Sequence, residues 1–204
     1  MSQISSQMVQ NLREKTSAGM MECKKALVEA KGDMDNAIKI LREKGLASAS
    51  KRAGRAASKG SIESYIHMNG AIGVIVEVNC ETDFVAKTAE FKALVKDIAM
   101  HIAAANPQYV VREEVPADII NKEKDIIKQQ LMNDEKNQKK PAQIIDKIIE
   151  GRLEKFYSEV CLLDQPFIRD TDKSVSELVK EAIAKIGENI VIRRFARFQL
   201  GSES

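Results

Sequence analysis

Few residues in this chain could do chemistry. Cys80, His67 and Asp83 could assemble across a hairpin into a thiol nucleophile, a base and an orienting carboxylate, but a free cysteine near a histidine is far more often structural. The two histidines, His67 and His101, have no sequence neighbours at metal-ligand spacing. Gly54 and Gly60 flank RAASK, yet the spacing is wrong and no Lys-Ser or Lys-Thr follows the second glycine, so the backbone cannot cradle phosphates as a P-loop does. Asp33 and Asp35 begin like a calcium loop but lack its glycine and closing glutamate, and a helix cap is the better account. Cys23, Cys80 and Cys161 lie far apart, form no CxxC pair and are odd in number, which reads as reduced, partly buried thiols. The expectation is a protein with no metal, no cofactor and no active site of its own.

Composition narrows the partners. The 204 residues, 44% of them hydrophobic, can build one large domain or two small ones around a real core. Charged residues make up 30% but nearly cancel, leaving +2, too weak a field to make nucleic acid or an anionic membrane the main partner. No apolar run approaches the about 18 residues of a membrane span. The N-terminal MSQISSQMVQ has neither the basic start nor the apolar stretch of a signal peptide, so a cytoplasmic location is expected.

The elements follow from periodicity. Ile4, Met8, Val9 and Leu12 recur at helical spacing, Thr16-Ser17-Ala18-Gly19 interrupts, and Met21, Ala26 and Leu27 belong to a second helix that Gly32 ends. Asp33 caps a third helix, with Ile38 and Leu41 facing inward and Gly45 expected as its stop. This gives a three-helix domain over residues 1–50, then a basic linker over 51–60 carrying Lys51, Arg52, Arg55 and Lys59. The period then changes to two. SIESYIHM and AIGVIVEVNC, joined by Asn69-Gly70, read as a hairpin, and Ile75, opposite the Ile72, Val74, Val76, Val78 face, suggests burial on both sides. Thr88 opens a helix whose core stripe is Phe91, Leu94, Val95, Ile98 and Ile102. Over about 117–157, Ile119, Ile120, Ile126, Ile127 and Leu131 form one apolar seam; Ile144, Ile145, Ile148, Ile149, Leu153 and Phe156 form another. Together they predict a projecting antiparallel helical hairpin with the polar tip NDEKNQKKP. Strand-like VCLL and PFIR, a helix opened by Ser174-Val175-Ser176-Glu177, and the strand NIVIRRFARFQ complete a 61–204 core. The fold class is α+β, an antiparallel sheet with helices and two appendages.

Taken together and in order, TSAGMMECKKALVEAKGD, NCETDFVAK, EGRLEKF, QPF and KIGENIVIRRF resemble the bacterial elongation factor Ts family almost end to end. The resemblance implies a UBA-like N-terminal domain, a sheet-and-helix core and a coiled-coil hairpin. It implies guanine-nucleotide exchange on elongation factor Tu, with Thr82, Asp83, Phe84 and Val85 entering the partner and dislocating its magnesium ion. It further implies partner contacts near Arg13, Met20, Met21 and Lys24, with His101 as a secondary contact. A single hairpin unit places the chain in the family's short branch, where two chains pair their sheets, so a homodimer is implied; Ala196 stands where an interchain cysteine would be needed. Periodicity alone would instead bury Phe84, as most phenylalanines are. The competing class is a ribosome-associated RNA-binding protein using Lys51 to Lys59 with Arg193, Arg194 and Arg197, although aromatics are only 4% and no RNA-binding signature accompanies the charges.

Overall fold

In the computed structural model residues 4–16, 18–133 and 140–202 are described; Ser17 in the first loop and 134–139 of the expected hairpin tip lie outside them. The described residues form eight helices and an antiparallel sheet, an α+β fold. The helices are α1 (Ser6–Thr16), α2 (Met20–Glu29), α3 (Met34–Arg52), α4 (Asp83–Ala86), α5 (Ala89–Ala105), α6 (Ala117–Asn133), α7 (Ala142–Val160) and α8 (Val175–Ile186). The strands are β1 (Lys59–His67), β2 (Ile72–Cys80), β3 (Pro166–Phe167), β4 (Asp170–Ser174) and β5 (Ile190–Gln199). A three-stranded sheet has the order β1-β2-β5, and β3 pairs with β4. The chain divides into two compact units, one of residues 1–62, 78–95 and 177–191, the other of 63–77, 96–176 and 192–204.

In the first unit α1, α2 and α3 enclose Val9, Leu12, Cys23, Ala26, Leu27 and Ala37, with Met8, Ile38 and Leu41 packed around them. The turn from α2 to α3 needs two left-handed residues, Lys31 and Gly32, and the Asp33 carboxylate then accepts from the Asn36 N–H at 3.0 Å, the expected cap. Gly45 does not stop α3. A side chain there would put its Cβ 3.1 Å from that of Ala184, so the glycine lets α3 and α8 approach closely, and the helix runs on into the basic segment. Arg42, one turn earlier, reaches Glu177 and Glu181 of α8 at 3.5 and 3.4 Å. Gly60 adopts φ +140°, and an added Cβ would lie 2.1 Å from the Val78 carbonyl oxygen of the neighbouring strand, so only glycine fits.

The second unit holds the far part of the sheet and the paired helices α6 and α7. Ile127 and Leu131 of α6 are buried, whereas Ile126 and Ile144 of the predicted seams are exposed, because adjacent helical positions cannot both face one partner. Arg112 ties the end of α7 down: its guanidinium donates to both Glu154 oxygens at 2.7 and 2.8 Å and to Asp164 at 2.6 and 2.9 Å, and lies 4.8 Å from the Tyr157 ring centre. These carboxylates hold it above the ordinary arginine range. VCLL is not a strand; Cys161 makes one bridge to Tyr109, and Leu162–Asp164 is a turn of 3-10 helix closed by backbone bonds. The hairpin between β1 and β2 turns through Met68–Ala71, with Met68, Asn69 and Gly70 left-handed, two residues more than the two-residue signal suggested.

Sheet burial is one-sided. Val74, Val76 and Val78 are buried, but Ile75 is 51% exposed, against the expectation of cover on both faces. The strand run is β-branched throughout, and continuous hydrophobicity does not by itself say that both faces are covered. Ile66 from β1 lies over Gly73, 3.4 Å from where a Cβ would stand, so this open face carries its own layer of isoleucine.

Gly60→Ala should cost about 3 kcal/mol or more, because both the backbone region and the space are closed to a side chain. Gly54→Ala, with nothing within 4 Å, should change stability by less than about 1 kcal/mol. Urea midpoints of the two variants check the contrast.

Candidate functional site

The polar segment between β2 and α5 is where a strand's alternation gives way to helix, and its backbone donors need partners that neither element supplies. Thr82 is the N-cap of the one-turn helix α4, its Oγ1 accepting from the Val85 N–H at 3.4 Å. Thr88 repeats the device for α5, accepting from the Phe91 N–H at 3.2 Å and donating to the Val85 carbonyl at 2.8 Å. Two caps six residues apart thus make a rigid step. Sequence reading placed only the second of them; the signal for the first, a threonine followed by Asp83 in the opening turn, was present.

Behind the step stands the Gly187-Glu188-Asn189 turn that follows α8. Glu188 accepts from the Thr82 N–H at 3.0 Å and from the Thr82 hydroxyl at 2.7 Å. In the opposite sense, Glu81 accepts from the Asn189 N–H at 2.6 Å and faces Arg55 at 3.6 Å. The buried Asn189 amide donates to the carbonyls of Arg55 and Ala53 at 2.7 and 3.3 Å. Cys80 is buried just before the step and donates to the Thr82 carbonyl at 3.1 Å; burial, with Glu188 nearby, pushes its thiol up, the opposite of what a nucleophile needs.

On this base Phe84 is 78% exposed. The ring is not a core residue, contrary to what periodicity alone would give, because the Thr82 cap turns the chain before Phe91 begins the buried stripe. Asp83 is exposed and pairs with Lys87 at 3.2 Å, which lowers its pKa. Val85 is half-buried. The four residues are one structural turn, with an aromatic side chain on its outer side.

The remaining candidates separate. Arg13, Met20, Met21 and Lys24 are all exposed on the three-helix bundle, Met20 at 44% and Met21 at 66%. Both methionines face out, since Cys23, Ala26 and Leu27 form the inner stripe. Val28, 59% exposed and seven residues after Met21, extends the outer face and was missed, although the spacing reveals it. His101 is fully buried in the second unit. Its Nδ1 accepts from the Ile168 N–H at 3.3 Å, so the proton sits on Nε2 and is donated to the Gln165 Oε1 at 2.9 Å. Three of the basic groups of the RNA reading are engaged within the chain: Arg55 with Glu81, Arg194 with Glu77 at 2.7 Å, and Arg197 with the Ala103 carbonyl at 3.1 Å. Among the described residues no group of three or more His, Cys, Asp or Glu could hold a metal ion, and no helix is long and apolar enough to cross a membrane.

The turn is thus doubly capped and holds an exposed aromatic ring at the surface of an α+β protein. The family profile described as "Elongation factor TS" matches residues 1–182. The chain is 62% identical to elongation factor Ts of Carboxydothermus hydrogenoformans over 97% of its length and 89% of the relative's. It is 61% identical to that of Caldanaerobacter subterraneus subsp. tengcongensis, over 97% of both chains, and 60% identical to that of Desulforamulus reducens, over 98% and 91%. The chain therefore belongs to the elongation factor Ts family. That membership carries guanine-nucleotide exchange on elongation factor Tu in translation elongation.

Burial lowers the His101 pKa below its ordinary value, with the Gln165 bond opposing only in part. The unfolded chain then binds the proton more readily than the folded one. The stabilising effect is complete above about pH 6.5 and is lost as pH falls toward the folded value. His101→Gln should flatten this part of the stability profile between about pH 7 and 5, read by thermal melts.

Proposed function

We propose that the Thr82–Val85 turn is the part of this exchange factor that enters elongation factor Tu, and that Phe84 is the intruding group with Asp83 beside it. The observation that supports this most is the exposure of Phe84, 78%, on a turn fixed at both ends by caps. An apolar ring held in water stabilises nothing in the free protein, and a complex can bury it. Inserted between packed helices of the partner, the ring displaces them, because interiors at crystal density cannot absorb its volume. Magnesium requires near-ideal octahedral ligands, so small movements of its site weaken it, and the diphosphate loses its counter-charge. Coupling is reciprocal: the factor weakens GDP by the same ratio that GDP weakens the factor. No covalent step in this chain is required.

The exposed face of α2, with Met20, Met21 and Lys24, and Arg13 on α1 supply a second contact that adds affinity without moving the nucleotide. His101 takes a supporting place, holding the Gln165 to Ile168 turn of its own unit. The open sheet face of the second unit, with Ile66 at 65%, Ile75 at 51% and Phe198 at 68% exposure, suits a second copy of the chain, the homodimer expected for the short branch. We keep the three-helix domain at 1–50, the linker at 51–60 and the coiled-coil hairpin at about 117–157 as the working division.

Phe84→Ala should leave stability within about 1 kcal/mol, as for other exposed positions. It should slow release of labelled GDP from elongation factor Tu about tenfold or more, the scale of a lost aromatic anchor, with Asp83→Ala slowing it less. A melting loss of about 3 to 5 kcal/mol with unimpaired release would return Phe84 to the core. Sedimentation should give about twice 22.7 kDa for the parent and the monomer mass for Ile75→Glu, while a monomeric parent at micromolar concentration would sink the dimer.

A further inference from the structure

Glu188 does no work that the fold of α8 demands. That helix ends at Ile186, and its terminus is already closed by left-handed Gly187 donating to the Ile183 carbonyl at 2.9 Å. Yet the Glu188 carboxylate spends both oxygens on one residue, Thr82, whose hydroxyl is at once the donor to Glu188 and the acceptor of the Val85 N–H. The hydroxyl's orientation is thereby fixed: with its hydrogen on Glu188, a lone pair is free for the helix cap. The neighbouring pair, Glu81 on the Asn189 N–H, locks the same two backbones in the reverse sense.

We propose that Glu188 is a positioning residue for nucleotide exchange: by accepting from both the N–H and the hydroxyl of Thr82, it holds the α4 turn in the one arrangement that projects Phe84. It touches neither partner nor nucleotide and acts through Thr82. This rests on the reading of Thr82–Val85 as the entering segment. Without the carboxylate the short helix, too brief to be stable alone, samples other conformations, and the ring must be ordered during binding. The cost then falls on the exchange step, while the separate α2 contact keeps the complex forming.

The chain has no tryptophan, so Phe84→Trp provides a unique reporter of the turn in the partner-free protein. Adding Glu188→Ala to that background should lower the fluorescence anisotropy of the reporter and raise its acrylamide quenching. In the parent background Glu188→Ala should reduce the saturating GDP-release rate about tenfold, the scale of losing one hydrogen bond to a charged group, with the half-saturating concentration nearly unmoved. Glu188→Gln, whose amide oxygen still accepts from the Thr82 N–H, should recover most of both signals and serves if the alanine variant folds poorly. An unmoved reporter, or an exchange loss that merely follows the folded fraction for both variants, overturns the inference. If the reporter loosens while release stays fast, Phe84→Ala tells the failures apart. Slow release by Phe84→Ala alone refutes the role of Glu188, and fast release by both refutes the entering segment and the inference with it.

Discussion

The structure around the candidate site depends on one constraint: backbone donors stranded between a strand and a helix must be satisfied without burying the segment that carries them. The N–H of Thr82 follows the last ladder position of β2 and precedes α4, and that of Asn189 follows α8 and precedes β5. Each is met by a glutamate from the other's segment, Glu188 and Glu81. Charge-assisted bonds of this kind contribute about 1.5 to 3 kcal/mol each when sheltered and less where water competes, as it does for these half-buried carboxylates. The gain is modest in energy and large in geometry, because two strand ends and two helix ends are fixed by four side-chain atoms and the ring of Phe84 is left outside.

Arg112 solves a comparable problem in the other unit. Its segment, Arg112–Glu114, is a short 3-10 turn, and α7 ends nearby without a buried residue of its own. A planar guanidinium that grips Glu154 on α7 and Asp164 after it fixes the exit of that helix as apolar packing does for α5. In both units a polar cluster fixes direction where the hydrophobic pattern is thin. The strong apolar elements, the α5 stripe and the buried face of β2, need no such help.

That difference explains what could be read from the sequence. The α5 stripe, the Asp33 and Thr88 caps, the β1–β2 hairpin and the close of α8 at Gly187 follow from local periodicity and turn chemistry, and the structure has them. Gly45 misled because glycine serves two purposes, and only the approach of Ala184, far along the chain, selects helix packing over helix termination. Ile75 misled because β-branched residues suit a strand whether or not its second face is covered. VCLL has strand composition, but backbone bonds from Leu162 and Leu163 to Tyr109 and Val110 leave room for only one bridge. At the site, the type of each residue was legible and its direction was not. The turn that carries Phe84 is bonded to Glu188, more than a hundred residues away, and no local rule reaches that far.

The same reasoning says why a ring so exposed is compatible with a stable protein. A phenylalanine left in water forgoes roughly 1.5 to 3 kcal/mol of burial, which a core of this size can lose without unfolding. What it cannot lose is definition of the turn, since an aromatic on a loose loop would collapse onto the nearest apolar surface, and half-buried Val85 and Ala86 offer one. Two caps and a carboxylate oppose that collapse. The surface therefore keeps an apolar group available because a polar network, modest in energy and specific in geometry, prevents the hydrophobic effect from claiming it.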